Sequence, residues 1–326
     1  FWAGVIAFAI VVYVILDGFD LGVGILFGTT GDPLLRRQMM ATIAPFWDGN
    51  ETWLVVIGAT LFAAFPVVYA VFLPAFYLPV LLLLIGLIFR GVAFEFRWRD
   101  PGHRAAWDFA FSFGSIVATF AQGVTLGALL QGIAVEGRGY VGGWFDWLTP
   151  FSILVGVSLL VGYALLGATW LIMKSEDSLQ ARCYRLAFGL GIGVITAMAA
   201  VSAATPFLRE AYWQRWFAWP QVLFTAQVPL LVAIATVAFF WSLKRLHHYT
   251  PFLMALALFA LGLTGLGISL FPYVVPPVVT IWEAAAPDPS LMFMLPGALI
   301  MVPIILAYTG YSYWVFRGKT GYEGYH

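Results

Sequence analysis

Nine runs of apolar residues, each long enough to cross a lipid bilayer as a helix, constrain this chain more than any other feature of its sequence. An α-helix rises about 1.5 Å per residue, so roughly 20 residues span the ~30 Å hydrocarbon layer. No run shows the alternation of apolar and polar residues that is typical of barrel strands. We therefore predict an all-α integral membrane protein that forms one polytopic membrane domain over residues 1–326. The runs cover approximately residues 1–27, 38–65, 69–94, 106–132, 149–173, 183–206, 217–242, 250–271 and 291–316.

The basic residues divide unequally between the two sets of connections that nine crossings create. Cytoplasmic loops carry an excess of Lys and Arg, so the richer set is predicted to lie in the cytoplasm. This places the N-terminus outside and the C-terminus in the cytoplasm. The richer set is Arg36, Arg37, Arg90, Arg97, Arg99, Arg104, Lys174, Arg182, Arg185, Lys244, Arg245, Arg317 and Lys319, and the poorer set is Arg138, Arg209 and Arg215.

Composition excludes several classes of protein and site. With 62% hydrophobic and 10% charged residues, the chain cannot cover a water-facing surface with polar groups. Its net charge of zero gives no sign of a nucleic-acid partner. Cys183 is the only cysteine, so an intrachain disulfide is excluded. Residues 1–27 lack an initial Met and a basic leader, and are predicted to be a retained span rather than a cleaved signal peptide.

Acidic residues within two of the apolar runs are the most informative side chains, because a carboxylate inside a bilayer is costly unless it is paired, hydrated or functional. Asp17 and Asp20 lie three residues apart in the first run, and Asp48 and Glu51 do so in the second. Each pair therefore shares one face of its helix. Counting from the predicted helix ends, Asp17 and Asp48 both lie ~15 Å from the cytoplasmic edge. If the first two spans are antiparallel neighbours, Asp17 and Asp48 lie at the same depth in the membrane.

Two interpretations of this acidic stripe remain open. In the first, the acids pass protons along a path together with Asn50, Thr52 and trapped water. In the second, they only form hydrogen bonds between helices and fix the packing. Glu95, near the inner end of the third run, either collects protons for the same path or simply pairs with Arg99 four residues later.

The glycines around the first acidic pair have a spacing that favours close helix packing. Small residues four positions apart let two helix backbones approach each other within a membrane. These glycines are Gly18 with Gly22, and Gly24 with Gly28.

The sequence contains no recognisable catalytic centre and no cofactor site. There is no phosphate-binding glycine loop, no metal-spaced histidine pair and no nucleophile beside a base. Haem usually takes His, Met, Cys or Tyr as its axial ligand, and the methionines of the last run have no histidine to pair with. We therefore predict that this chain binds no metal or haem and acts as a subunit. The histidines, all in predicted inner loops or the tail, are His103, His247, His248 and His326, and the methionines are Met292, Met294 and Met301.

Several motifs closely resemble subunit II of cytochrome bd-type quinol oxidases. The most specific are DGFDLGVG at 17–24 and IAPFWDGNETWL at 43–54, since their placement of acids, glycines and tryptophan is not general to membrane proteins. The resemblance covers essentially the whole chain. The other motifs are FAAFPVVYA at 62–70, FRGVAFEFR at 89–97, FPYVVP at 271–276, TIWEA at 280–284 and PIILAYT at 303–309.

The resemblance implies a fold of two four-helix bundles plus a peripheral helix, located in the bacterial inner membrane. It implies a larger partner, subunit I, that carries b-type and d-type haems, oxidises quinol near the outer face and reduces oxygen to water. Subunit II carries no haem in such complexes, although some members hold a quinone, which stays open for this chain. Small single-span subunits and lipid are further implied partners. Protons would come from the cytoplasm, so that charge is separated without a pump.

The resemblance also implies roles for individual acids. Asp17, Asp20, Asp48 and Glu95 would line a proton channel that leads toward the subunit interface. Glu95 stands where many relatives have Asp, and Glu51 replaces a neutral amide of some relatives, so the detail of the route departs from the family pattern. The proton path predicted here comprises Asp17, Asp20, Asp48, Glu51 and Glu95.

Two other functions fit parts of the sequence. A proton-coupled secondary transporter would also combine many spans with intramembrane acids and broken helices. A purely structural scaffold would need the acids only for packing. A transporter works alone, whereas an oxidase subunit is isolated together with a larger haem-bearing chain.

Overall fold

Helices make up nearly all of the fold. The computed structural model describes residues 1–137 and 139–321, so Arg138 and His326 lie outside the described residues. Four short strands form two hairpins, β1 Val135–Glu136 with β2 Gly139–Tyr140 and β3 Tyr273–Val275 with β4 Val279–Thr280. The helices are α1 Trp2–Phe27, α2 Pro33–Ile43, α3 Trp47–Ala64, α4 Pro66–Ala75, α5 Tyr77–Arg99, α6 Arg104–Gln131, α7 Pro150–Lys174, α8 Asp177–Ala204, α9 Glu210–Phe217, α10 Val222–Thr225, α11 Gln227–Lys244, α12 Thr250–Leu270, α13 Ile281–Ala284 and α14 Asp288–Val315.

The described residues form eight helices that could each cross a membrane, and one bent pair of helices that passes the same test together. Eight helices are individually long and apolar enough to span a bilayer, namely α1, α5, α6, α7, α8, α11, α12 and α14. The bent pair is α3 and α4, which meet at 119°, so the number of spans is nine when this pair is counted as one. Val68 and Val71 of α4 pack in one cluster with Trp2 and Ile6, so α4 lies across the end of the bundle where α1 begins. The predicted all-α membrane fold is confirmed.

The second apolar run forms two helices, whereas the sequence predicted one span over 38–65. Asp32 caps α2 by accepting a hydrogen bond from the Leu34 N–H at 2.9 Å, and the helix ends at Ile43. The chain then turns through residues 44–46 before α3 starts at Trp47. Pro45 has no N–H and clashes with the preceding helical turn, so it interrupts the helix here. The prediction of a continuous second helix was wrong.

The spans form two four-helix bundles and a peripheral helix. The first bundle contains α1, α3, α5 and α6, and the second contains α7, α8, α11 and α12. They join where α7 packs on α1 and α6. The last span, α14, packs on α3 and has no buried residue, although Tyr313 stacks on Phe46 with ring centroids 4.3 Å apart.

Close helix crossings hold the bundles together, and they occur at glycines. A Cβ atom at Gly22 would lie 1.8 Å from the carbonyl oxygen of Tyr163, and one at Gly167 would lie 2.4 Å from the carbonyl carbon of Gly22. Gly86 of α5 and Gly114 of α6 form a similar crossing. The predicted packing role of the glycines on α1 is confirmed, because a side chain could not fit at these crossings.

Basic residues gather at one end of the bundles, which we call the basic end. Arg36 and Arg97 both bind Asp108, at 2.8 Å and 2.5 Å, and Arg182 donates to the Thr29 carbonyl at 2.7 Å. These contacts tie the α1–α2 connection to α5, α6 and α8. The Lys and Arg residues at this end are Arg36, Arg37, Arg97, Arg99, Arg104, Lys174, Arg182, Arg185, Lys244, Arg245, Arg317 and Lys319.

Two arginines stabilise the opposite end, one directly before the surface helix α9 and one within it. Arg209 donates to the carbonyl of Gln131, the last residue of α6, and Arg215 donates to the carbonyl of Ser269 near the end of α12. The carbonyl groups at a helix C-terminus lack helical partners and carry partial negative charge, so these cations stabilise both ends.

We expect Gly22→Ala to destabilise the protein because α1 and α7 must separate to admit a methyl group. Overpacking of this kind typically costs ~1–3 kcal/mol. The matched control is Gly58→Ala on α3, where an added Cβ meets nothing within 4 Å. Thermal unfolding in mild detergent should show a lower midpoint for Gly22→Ala and no loss for Gly58→Ala. Equal midpoints for the two variants would contradict the close crossing.

Candidate functional site

A single arginine lies among three carboxylates inside the first bundle. Arg90 of α5 is fully buried, and its Nη1 lies 3.1 Å from Asp17 Oδ1 and 3.5 Å from Glu51 Oε1. Its Nη2 lies 3.9 Å from Asp20 Oδ2. The guanidinium also lies over the Trp47 ring at 5.6 Å. We call Asp17, Asp20, Glu51 and Arg90 the ionic cluster.

The ionic cluster carries more acids than its one cation can neutralise. Fully ionised, three carboxylates and one guanidinium would leave an excess of two negative charges in a region with little water. Such an uncompensated buried charge is costly, so charge balance favours protons held within the cluster. Asp17 Oδ2 and Asp20 Oδ1 are buried without a hydrogen-bond partner among the described residues, and both can accept a proton or a water molecule.

Asn50 links the ionic cluster to the last helix. Its Nδ2 donates to Asp20 Oδ2 at 2.6 Å, and its Oδ1 accepts from the Tyr313 hydroxyl at 3.1 Å. Asn50 lies in the first turn after the helix break and binds Asp20 directly, so both residues lie ~10 Å from the C-terminal end of α1. The break therefore brings a polar backbone and an amide to the depth of the buried acids.

A polar cavity of about 150 Å³ opens beside this break. It lies between the start of α3 and the inner half of α14, and is lined by Asp48, Asn50, Ser312 and Tyr313 among others. The sequence predicted Asp48 level with Asp17, but Asp48 is exposed in the first turn of α3 and does not touch it. The depth was counted along a continuous helix, which the break at Pro45 rules out. Asp48 faces the cavity, and Glu51 one turn later reaches Arg90.

Glu51 connects the buried acids with the outer surface of the bundle. Its side chain remains 20% exposed, whereas those of Asp17, Asp20 and Arg90 are fully buried. Glu95, by contrast, is not part of the ionic cluster. Its carboxylate lies 3.9 Å from Arg99 Nη2 on the exposed face of α5, as the simpler interpretation of this residue predicted.

Sequence reasoning missed Arg90, which it placed with the basic residues of a cytoplasmic loop. One signal could have located it. Arg90 is nine residues before Arg99, the last residue of α5, so it lies ~14 Å from the helix end, and Asp17 lies ~15 Å from the end of α1. An arginine and an acid at equal depth in adjacent helices are natural ion-pair partners.

Among the described residues, no histidine lies inside a helix bundle, where it could serve as a haem ligand. Each described histidine lies at the basic end, where His103 binds Asp100 at 2.9 Å and His248 lies 3.2 Å from Gln180. Met39 and Met40 are buried among apolar side chains of the core.

Glu283, an acid near the opposite end, caps α13. The Thr280 N–H and hydroxyl donate to its carboxylate at 2.8 and 2.7 Å and hold the pKa of Glu283 below its usual range.

Comparison with known proteins decides the family. The model of cytochrome bd terminal oxidase subunit II matches residues 1–316. The chain is 31% identical to cytochrome bd-I ubiquinol oxidase subunit 2 of Escherichia coli (strain K12), over 98% of this chain and 94% of that protein. It is 30% identical to cytochrome bd ubiquinol oxidase subunit 2 of Bacillus subtilis (strain 168), over 99% and 96%.

This chain belongs to the cytochrome bd terminal oxidase subunit II family. Its fold is similar to that in the structure of bd oxidase from Geobacillus thermodenitrificans, with a TM-score of 0.74 and 15% identity over 94% of this chain and 96% of that one. The resemblance found in the motifs is confirmed. Membership of the subunit II family favours an oxidase subunit over a secondary transporter.

We expect Arg90→Met to destabilise this subunit, since it leaves three buried acids without a cation. Removing one partner of a buried ion pair typically costs ~3–5 kcal/mol. The control is Arg99→Met, because the Arg99–Glu95 pair is exposed and such pairs contribute ~0–1 kcal/mol. The yield and thermal midpoint of the purified complex should fall for Arg90→Met alone. A midpoint equal to that of Arg99→Met would show that Arg90 does not stabilise the cluster.

Proposed function

We propose that this chain is the non-haem subunit of a cytochrome bd-type terminal quinol oxidase, which couples quinol oxidation to the reduction of oxygen to water. Its role is to stabilise a haem-bearing subunit I and to supply a proton path from the cytoplasm. The observation that carries this proposal is the ionic cluster, because buried acids that exceed their cation and lie beside a polar cavity can take up and release protons.

The orientation follows from the basic end. Lys and Arg favour the cytoplasmic side, so the basic end faces the cytoplasm of a bacterial inner membrane. The N-terminus then lies outside, and α14 ends on the cytoplasmic side. The cavity beside Asp48 lies between the helix break and the inner half of α14, so it opens toward the same side.

The path begins at this cavity. Asp48 is exposed in its wall and takes protons from water. Asn50, in the same wall, donates to Asp20 Oδ2 and holds this acid beside the cavity, so water in the cavity passes the proton to the free Asp20 Oδ1 and the amide itself carries none. Glu95 lies on the exposed face of α5, one and a half turns closer to the basic end than Arg90, and collects protons there.

The path continues from Asp20 through Asp17 to Glu51, all of which contact Arg90. The cation lowers the energy of an anion at each position, so a proton can move between them without creating an isolated buried charge. Glu51 is the exit, since it alone of these acids reaches the surface.

The surface around Glu51 is the expected contact with subunit I. The two helices that carry Glu51 and Arg90 also present large apolar side chains outward, since Val55 of α3 and Ile88 and Phe89 of α5 are all at least half exposed. A carboxylate at this depth would be costly against lipid, so a protein partner that accepts its proton fits better. The partner's b-type and d-type haems would supply electron transfer and oxygen reduction. No step of that chemistry takes place on this chain.

Several finer features are part of the same proposal. Protons taken from the cytoplasm and consumed within the membrane make the reaction electrogenic without a pump. Quinol and oxygen would bind to other parts of the complex, and a bound quinone is a further proposed ligand of this chain. Small single-span subunits and lipid complete the expected partners.

We expect Asp48→Asn and Glu51→Gln each to lower quinol-driven oxygen consumption by about tenfold, which corresponds to ~1.4 kcal/mol in the barrier. Both changes keep the side-chain shape and remove the ability to carry a proton. The haem spectrum and the amount of assembled complex should be unchanged. Glu136→Gln, in the exposed hairpin at the opposite end, is the matched control and should retain full activity.

The scaffold hypothesis predicts the reverse pattern for these variants. If the acids served only packing, Asp48→Asn would consume oxygen at the normal rate, and any defect would be in assembly. Normal turnover of an intact Asp48→Asn complex would therefore rule out a proton path through Asp48.

A further inference from the structure

Three polar side chains form a hydrogen-bonded chain on the far side of Asp17 from the cavity. The Tyr163 hydroxyl of α7 donates to Gln122 Oε1 at 2.9 Å, and Gln122 Nε2 of α6 donates to the Tyr13 hydroxyl oxygen of α1 at 2.9 Å. Tyr13 and Tyr163 are 4% and 0% exposed. Burying three polar groups in a helical bundle is costly unless they form hydrogen bonds with one another or with a fourth group. We call this chain the Tyr–Gln–Tyr triad.

The amide of Gln122 gives the triad a direction. Its oxygen can only accept and its nitrogen can only donate, so the hydrogen of Tyr163 points to Gln122 and a hydrogen of Gln122 points to Tyr13. The hydroxyl hydrogen of Tyr13 is then left for another acceptor. Asp17 lies one helical turn farther along α1 and interacts with Tyr13. Arg90 holds Asp17 Oδ1, whereas Oδ2 has no partner among the described residues.

We propose that the triad positions Asp17 and closes the proton path on the side of α6 and α7, with Tyr13 as the donor to Asp17 Oδ2. This inference rests on the proposed proton path. Hydrogen bonds in a directed chain polarise and strengthen one another, so the whole triad acts through Tyr13. Tyr163 and Gln122 are positioning residues, since neither touches a group that carries a proton along the path.

The Gln122 amide also explains why protons do not continue through the triad. To pass a proton along the chain, the Gln122 amide would have to accept one on its oxygen and release another from its nitrogen, which an amide resists. Besides Tyr13 and Tyr163, the titratable or charged side chains that interact with Asp17 among the described residues are Asp20, Glu51, Arg90 and Tyr313, and of these only Asp20, Glu51 and Arg90 belong to the ionic cluster. A proton on Asp17 therefore moves to Glu51 and the surface of α3 and α5, and not deeper between α1, α6 and α7.

The test uses the assembled oxidase with Tyr13→Phe, Gln122→Leu and the double variant. Tyr13→Phe keeps the ring and its packing, and removes only the hydroxyl. The measured quantities are the rate of oxygen consumption and the infrared carboxyl band of Asp17, identified as the band that disappears in Asp17→Asn. Tyr311→Phe, on the exposed face of α14, is the matched control.

We expect each single variant to shift the Asp17 band and to lower turnover about fivefold, as for loss of one ordinary hydrogen bond. Because Gln122 acts through Tyr13, the double variant should be no worse than Tyr13→Phe alone. Tyr311→Phe should leave both quantities unchanged. If Tyr13 and Gln122 served only packing, the Asp17 band would stay in place. The losses of turnover in the two single variants would then multiply in the double variant.

The outcomes separate this inference from the function on which it rests. Asp17→Asn with normal turnover would overturn the proton path and the triad together. Loss of turnover in Asp17→Asn, with an unmoved band and full rates in both Tyr13→Phe and Gln122→Leu, would overturn the triad alone. If Gln122→Leu fails to assemble, Tyr163→Phe tests the same chain from its other end, and an unmoved band there would also contradict the inference.

Discussion

The contact between Arg90 and Asp17 is the interaction on which the interior of the first bundle depends. It joins α5 to α1 at 3.1 Å with both side chains fully buried, and the same guanidinium draws in Glu51 from α3. Removing charges from water is costly unless they are paired, so the two helices must meet at the depth where both groups lie. Three of the four helices in this bundle are therefore fixed by one cation. The excess of acid around it is the basis of the proposed proton path.

Close packing of α7 on α1 positions polar side chains next to Asp17. The glycine crossing at Gly22 and Gly167 brings α7 so close to α1 that Tyr163 lies beside Gly18, which is next to Asp17. Without that approach, the Tyr–Gln–Tyr triad could not form between three helices. The break at Pro45 has the opposite effect, because it removes helical hydrogen bonds and opens a polar cavity. One side of Asp17 is thus closed by packing, and in the proposed path the other side is reached from the cavity through Asp20.

Much of the fold could be predicted from the sequence, because each span has to satisfy its own backbone inside the bilayer and therefore appears as a long apolar run. The close packing at Gly22 was predicted from the spacing of small residues, and the burial of Asp17 and Asp20 from their position inside an apolar run. The break at Pro45 was missed because one proline inside an apolar run does not show whether a helix bends or ends. Asp48 was then assigned to the wrong depth, and Arg90 to a loop, since the charge pattern alone does not distinguish a loop arginine from one two turns inside a helix. Tyr13, Gln122 and Tyr163 are far apart in sequence, and only the packing of α1, α6 and α7 brings them together.

The measurement that tests the account most directly is proton uptake during oxygen reduction by the purified complex in vesicles of known orientation. A pH-sensitive dye on each side of the membrane reports where the protons come from, and Asp20→Asn serves as the variant in which the buried path is broken. The account predicts uptake from the side of the basic end, and slower uptake in Asp20→Asn with an unchanged haem spectrum. Uptake from the opposite side, or at the normal rate in Asp20→Asn, would contradict a proton path through this subunit.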